Sequence, residues 1–300
     1  MAFTKTAARR ARDTGPSGWL AAPALVFFLV FAIVPLIGVV GLSFTSWDGL
    51  GEIKADGVGS WVRVLTDPVT GNALIVTAKI MVFSYIVQTP ISLLLGVFTA
   101  GRQRYRALLA VLYFVPLLLS SAAIAIAFKA LLDPNFGMGP GLGIPALAQD
   151  WLGNSDLVLF VVVFVIAWQF VPFHTLIYQG GARQIPVSLY EAAQIDGAGR
   201  VQQFLRITLP QLKYTIITSS TLMAVGSLAY FDLVFVLTAG GPGYATRLLP
   251  LHMYLTGFKA NDMGAASALG VILVVIGLAL ALILQRLGGK NRTASQLEGA

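Results

Sequence analysis

Six apolar runs dominate this chain of 300 residues, at about 18–44, 72–100, 107–131, 157–179, 215–238 and 264–285. Each is long enough to cross a hydrocarbon layer about 30 Å thick as a helix, which takes roughly 20 residues. Together they fill most of the chain and leave little for a soluble domain. The charge content agrees. Only 11% of residues are charged, against about 25% in an ordinary soluble domain, too few to cover a globule of this size. The sequence therefore predicts an all-α membrane protein with six transmembrane helices.

The formal charge of +7 is distributed by side. Lys5, Arg9, Arg10 and Arg12 precede the first run, and Arg102, Arg104 and Arg106 follow the second. Arg183, Arg200, Arg206 and Lys213 follow the fourth, and Arg286, Lys290 and Arg292 follow the sixth. The alternate connections carry only Lys54, Arg63, Arg247 and Lys259. An excess of Lys and Arg marks the cytoplasmic side, so both termini are expected in the cytoplasm. The basic balance thus reads as topology. No basic stripe with interleaved aromatics suggests nucleic acid. The expected organisation is a cytoplasmic arm over 1–17, a membrane domain over 18–286 and a cytoplasmic tail over 287–300. The first run is too long for a signal-peptide core, so it is taken as a retained helix.

Several kinds of chemistry are excluded. There is no cysteine, so thiol catalysis, disulfides and thiolate metal sites are out. No phosphate-binding loop of the G-x-x-x-x-G-K-[ST] type occurs. His174 and His252 lack partners at ligand spacing, so no metal site is expected, and no catalytic constellation can be assembled. Lys79 and Lys129 read as interfacial anchors whose stems reach toward water. Asp232 lies within the fifth run, where an acidic side chain is either functional or paired with a neighbouring helix. Pro23 and Pro35 predict a kink in the first helix.

One polar segment stands between the fourth and fifth runs: EAAQIDGAGRVQQFLRITLP, Glu191–Pro210. Ile185-Pro186 breaks the chain after the fourth run. Ser188 and Glu191 have the S-x-x-E spacing of a capping box, which predicts a short helix. Leu189, Ala192, Ala193 and Asp196 would share one shallow face. Gly197 can end the helix in the left-handed conformation, and Gly199 offers a second swivel. A second helix then enters the membrane, with Pro210 kinking it. The residues alone permit two readings: an elbow resting on its own helix ends, or a docking knob for another protein.

The spacing E-A-A, three residues, G, nine residues, I, one residue, L-P resembles the cytoplasmic loop of permease subunits in binding-protein-dependent ABC importers. Here it is Glu191, Ala192, Ala193, Gly197, Ile207, Leu209 and Pro210. LTAGGPGYAT (237–246) and the DPNFG stretch at 133–137 are similar to the carbohydrate-uptake class of these importers, which includes maltose, oligosaccharide and glycerol 3-phosphate permeases. The resemblance implies a multi-pass protein of a bacterial cytoplasmic membrane. Its elbow, residues 183–213, would be a coupling helix docked on ATPase subunits. Two ATPases would bind ATP and Mg in place of this chain, which is itself no enzyme and needs no cofactor. A second, related permease would share the path, and an extracytoplasmic solute-binding protein would deliver the carbohydrate. The resemblance also implies a substrate path amid the third to fifth helices. Candidates there are Ser120, Trp168, Gln169, Phe173, Ser227, Tyr230 and Phe231, because sugars take aromatic faces and hydrogen-bonding groups. The alternatives are a stand-alone transporter coupled to ions through Lys79, Lys129, His174 or Asp232, and a membrane-embedded enzyme or scaffold.

Overall fold

A computed structural model describes residues 18–101 and 104–287. The arm 1–17 and the tail beyond Leu287 lie outside the described residues, with Lys5, Arg9, Arg10, Arg12, Lys290 and Arg292. Arg102 does too, as do the side chains of Arg104 and Arg106.

Among the described residues, four helices are long and apolar enough to cross a membrane, or six if each of two bent pairs counts as one span. Helix α1, Trp19–Leu42, has no buried residue in its main run. The expected effect of Pro35 takes the form of a wide turn just before it. The Val34 amide reaches back five residues to the Leu29 carbonyl, because the proline ring has no N–H and crowds the carbonyl four residues back. Strands β1, Thr45–Ser46, and β2, Lys54–Ala55, form a small antiparallel ribbon with Thr45 opposite Ala55. Helix α2, Gly59–Thr66, leads to α3, Pro68–Thr99. Asp67 caps α3 by accepting from the Val69 amide at 2.9 Å.

The third run departs from expectation. Instead of one helix over 107–131 there are two, α4 (Arg104–Leu118) and α5 (Ser121–Leu131), bent by 100°. Pro116 removes a backbone donor near the end of α4, and Ser120 caps α5 by accepting from the Ala123 amide at 3.2 Å. A proline close to a capping serine makes two helix ends where hydropathy shows one run. The 133–137 stretch follows as a turn, in which Asp133 accepts from the Asn135 and Phe136 amides at 2.8 and 2.9 Å. These bonds hold its carboxyl below the usual range.

Helix α6, Val158–Arg183, extends four residues past the expected end. It packs along α3 in the most extensive helix pair of the molecule. Gly96 permits the close approach: a Cβ there would lie 2.5 Å from the Tyr178 Cβ and 2.9 Å from the Thr175 carbonyl. Next come α7, Val187–Ile195, and α8, residues 200–211, which form the elbow. The fifth run is also two helices, α9 (Lys213–Ser227) and α10 (Phe231–Thr238), bent by 49°. A further helix that the sequence did not predict, α11 (Leu249–Tyr254), continues through a wide turn to Lys259. Helix α12, Met263–Leu287, closes the bundle.

Among the described residues, buried apolar side chains gather in three clusters. The largest joins α3, α5, α6, α10 and α11 through Ile80, Ile124, Ile166, Leu233 and Leu251. A second lies between α2, α3, α11 and α12. The third sits at the elbow end, where Leu93, Tyr178, Ile185 and Leu212 are backed by Tyr190, Phe204, Ile207, Leu209 and Ile216.

Candidate functional site

The elbow begins where Pro186 forbids a continuation of α6. With φ fixed at −58° and ψ at 131°, Pro186 occupies the position before the first residue of α7. The helix thus starts two residues earlier than a Ser188 cap requires, and Ser188 falls inside its first turn. No side chain caps α7. The expected Ser188–Glu191 capping box is absent, because a serine already in helical conformation cannot accept from the amides ahead of it.

The far end of α7 is closed by backbone. Gly197 has φ +76°, its amide donates to the Gln194 carbonyl at 3.1 Å, and the Ala198 amide donates to the Ala193 carbonyl at 2.8 Å. This is the paired bonding of a Schellman turn, which needs a left-handed residue at the position of Gly197. Gly199 is different. Its φ of −68° is open to any residue, so the second swivel expected there is not a conformational requirement. The turn is tied across by Gln203, whose Nε2 donates to the Ala198 carbonyl at 2.8 Å.

The elbow has an anchored side and a free side. On the anchored side, Ile185 is buried and Tyr190 packs into the inner cluster. The Tyr190 hydroxyl pairs with Thr208 Oγ1 at 2.8 Å, joining α7 to α8. Ile207 and Leu209 lie in that same cluster. Pro210 is exposed and is preceded by a wide turn, Phe204–Thr208, in which the Leu209 amide reaches back to Phe204. On the free side, Glu191, Ala192 and Gly197 are exposed and Ala193 is half-buried. Sequence reasoning missed the greasiest part of that surface. Ile195 is 87% exposed and Val201 is 72% exposed. The available signal was Ile195 standing between Gln194 and Asp196, and Val201 between Arg200 and Gln202.

The substrate-path candidates fall into two groups at the two helix breaks. At the first, Ser120 is exposed, and buried Gln169 on α6 donates from Nε2 to Ser121 Oγ at 3.0 Å. At the second, Ser227 is buried and donates to the Ala224 carbonyl at 2.7 Å. Tyr230 is buried against Phe170, with ring centroids 5.2 Å apart. Phe231 stacks on Phe235 at 5.4 Å and 11°. Helices α5 and α10, each beginning just after a break, pack together. Trp168 and Phe173 are more open, 39% and 38% exposed, with Trp168 packed edge-on against Phe128 of α5 at 5.4 Å. Asp232 is exposed in the first turn of α10. Sequence reasoning also passed over Gln88 on α3, which is wholly buried beside Tyr230.

The histidines are structural neighbours of hydroxyls. His174 Nδ1 lies 2.9 Å from Ser219 Oγ. His252 Nε2 lies 3.0 Å from Thr70 Oγ1 and 3.3 Å from Asp67 Oδ2. Burial pushes the His252 ring below its ordinary value, an effect that Asp67 opposes and Arg247 reinforces. Among the described residues, no group of three or more His, Cys, Asp or Glu could hold a metal ion.

The family described as binding-protein-dependent transport system inner membrane component matches residues 92–292, which include the whole elbow. The chain belongs to this family. This inner membrane component is 32% identical over 268 residues to a probable ABC transporter permease protein, YurN, of Bacillus subtilis, covering 87% of this chain and 91% of the relative. It is 30% identical over 273 residues to the arabinooligosaccharides transport system permease protein AraP of Bacillus subtilis, covering 89% and 87%. It shares its fold with a bacterial ABC transporter involved in the import of the acidic polysaccharide alginate. That match has a TM-score of 0.78 at 22% identity and covers 92% of this chain and 96% of the solved one. Such relatives are membrane components of transport systems.

Proposed function

We propose that this chain is a permease subunit of an ATP-driven importer for a sugar or oligosaccharide. It crosses a bacterial cytoplasmic membrane six times, each bent pair being one span, with both termini in the cytoplasm. ATP and Mg bind to two ATPase subunits docked on the elbow. A second, related permease completes the path, and an extracytoplasmic binding protein delivers the substrate. The arabinooligosaccharide relative supports the sugar class. The breaks near Ser120 and Tyr230 support a path there, since discontinuous helices in a membrane free backbone groups for a solute.

One observation carries the reading: α7 is a short helix with no buried residue of its own, held rigidly at both ends. A push on its free side passes through Tyr190 to Thr208 on α8 and through Ile185 to Tyr178 and Leu212. These residues sit at the roots of α6 and α9, so the elbow can convert movement of a partner into tilting of two spans. Glu191, Ala192, Ala193 and Gly197 are the docking face. Ile207, Leu209 and Pro210 shape the return into the membrane.

The test is mild-detergent purification of the tagged chain with measurement of ATP-driven uptake. ATPase subunits should copurify, and Glu191→Lys or Gly197→Pro should impair uptake while the chain still inserts. Uptake by this chain in ATPase-free vesicles, driven by an ion gradient alone, would refute the proposal.

A further inference from the structure

Behind the elbow lies a cavity of about 850 Å³. Its walls come from the inner end of α3, the last turn of α6, and both arms of the elbow. Arg183 and Arg200 both line it, together with Tyr190 and Gln203, and among the described residues no carboxylate does. Among the described residues, neither arginine takes part in an ion pair. Two like charges facing one space repel, and an anion between them removes that repulsion and gains charge-assisted hydrogen bonds. Apart from Thr208, the rest of the lining is apolar or small, including Val97, Ile185 and Phe204. The volume is many times the roughly 30 Å³ share of one water. It therefore has room for a headgroup and the first carbons of its chains.

We infer that this cavity binds the phosphate headgroup of an anionic phospholipid, wedged between the ends of α3 and α6 and the elbow. The level is right, because α3 and α6 are membrane-length helices that end here. Basic pockets between helix ends at a membrane surface take anionic headgroups, each Lys or Arg near the surface contributing about 1 kcal/mol. The apolar walls favour a lipid over free phosphate. A lipid seated here touches Tyr190, the residue that ties the two arms, so the elbow's stiffness becomes sensitive to membrane composition. The inference needs only that these helices end at a bilayer surface. It does not need an ATPase on α7.

The experiment reconstitutes the full chain in vesicles of equal phosphatidylglycerol and phosphatidylcholine, extracts it in mild detergent, and weighs retained lipid by native mass spectrometry. The unaltered chain should retain phosphatidylglycerol selectively. The double variant Arg183→Gln/Arg200→Gln should lose about tenfold or more of that retention, whereas Lys213→Gln, outside the cavity, should keep it. Equal retention of both lipids by the unaltered chain overturns the inference. So does undiminished retention by the double variant, or displacement of the lipid by inorganic phosphate alone. If the double variant instead keeps its lipid but fails to capture ATPase subunits, the groove is a protein-docking surface and the inference is wrong. Loss of retention with ATPase capture intact supports it and leaves the coupling role standing.

Discussion

At the elbow, α7 has no buried residue, and the side-chain bonds that tie its arm to the next are Tyr190 to Thr208 and, across the turn, Gln203 to Ala198. At the opposite end, residues 244–254 are sewn to α3. Asn72 Nδ2 donates to the Tyr244 carbonyl at 3.0 Å, and the Leu249 amide donates to Thr77 Oγ1 at 2.9 Å. Thr70 meets His252, and Leu249 and Leu251 are wholly buried. Both regions are short helices set beside long spans, but one has its apolar residues inward and the other has Ile195 and Val201 outward. A segment that spends its greasy side chains on its own core is a fixed cap. One that leaves them in water while its ends are pinned fits the proposed docking role, since a stable domain has little other reason to expose them.

The largest effect should come from the fixed end. Leu249→Ala leaves a hole in a sealed site and should lower stability by about 2–5 kcal/mol, read by denaturation in detergent. A change no larger than that of a surface alanine would show that this end is not the rigid one. Next comes the turn of the elbow. Gly197→Ala must hold an L-residue at φ +76° and should destabilise the elbow locally by about 1–2 kcal/mol. Gly199→Ala should be near neutral, since its backbone suits any residue. Hydrogen exchange over 187–203 separates the two. Acid should then loosen the fixed end selectively. The folded-state value of His252 is below its ordinary 6.5. The unfolded chain therefore takes up more protons as pH falls through that range, and stability present above it is lost on acidification. The slope should stay below about 1.4 kcal/mol per pH unit, and His252→Gln should flatten it. The smallest stability effect belongs to Ile195→Ala, within about 0.5 kcal/mol. The same change should weaken ATPase capture, because Ile195 lies on the free surface.

Much of this contrast was legible in the sequence at one end only. The elbow could be read because its punctuation is local: Pro186 stops one helix, Gly197 stops the next, and the E-A-A spacing marks the free face. The false capping box came from treating Ser188 as a cap when Pro186 had already set the start. The breaks at Ser120 and near Tyr230 were hidden because hydropathy averages across them. Ser120 sits in a run of leucines, and a serine that caps a helix weighs little against them. Helix α11 was read as loop because its apolar stretch is short and begins beside Pro250; its burial depends on α3, α10 and α12 folding around it. Asp232 could be placed on a helix, but only the bend puts it in a first turn, where a carboxylate suits the helix dipole.

The central claim is that the free face of α7 is held by an ATPase subunit. The natural chain has no cysteine, so an Ala192→Cys variant carries a single reactive thiol. In the assembled importer, a short thiol cross-linker should join this position to the ATPase subunit in high yield. The yield should change between nucleotide-free and ATP-bound states, because the elbow moves with its partner. A thiol that stays freely reactive in both states of the assembled complex, with no adduct to the ATPase, would contradict the account.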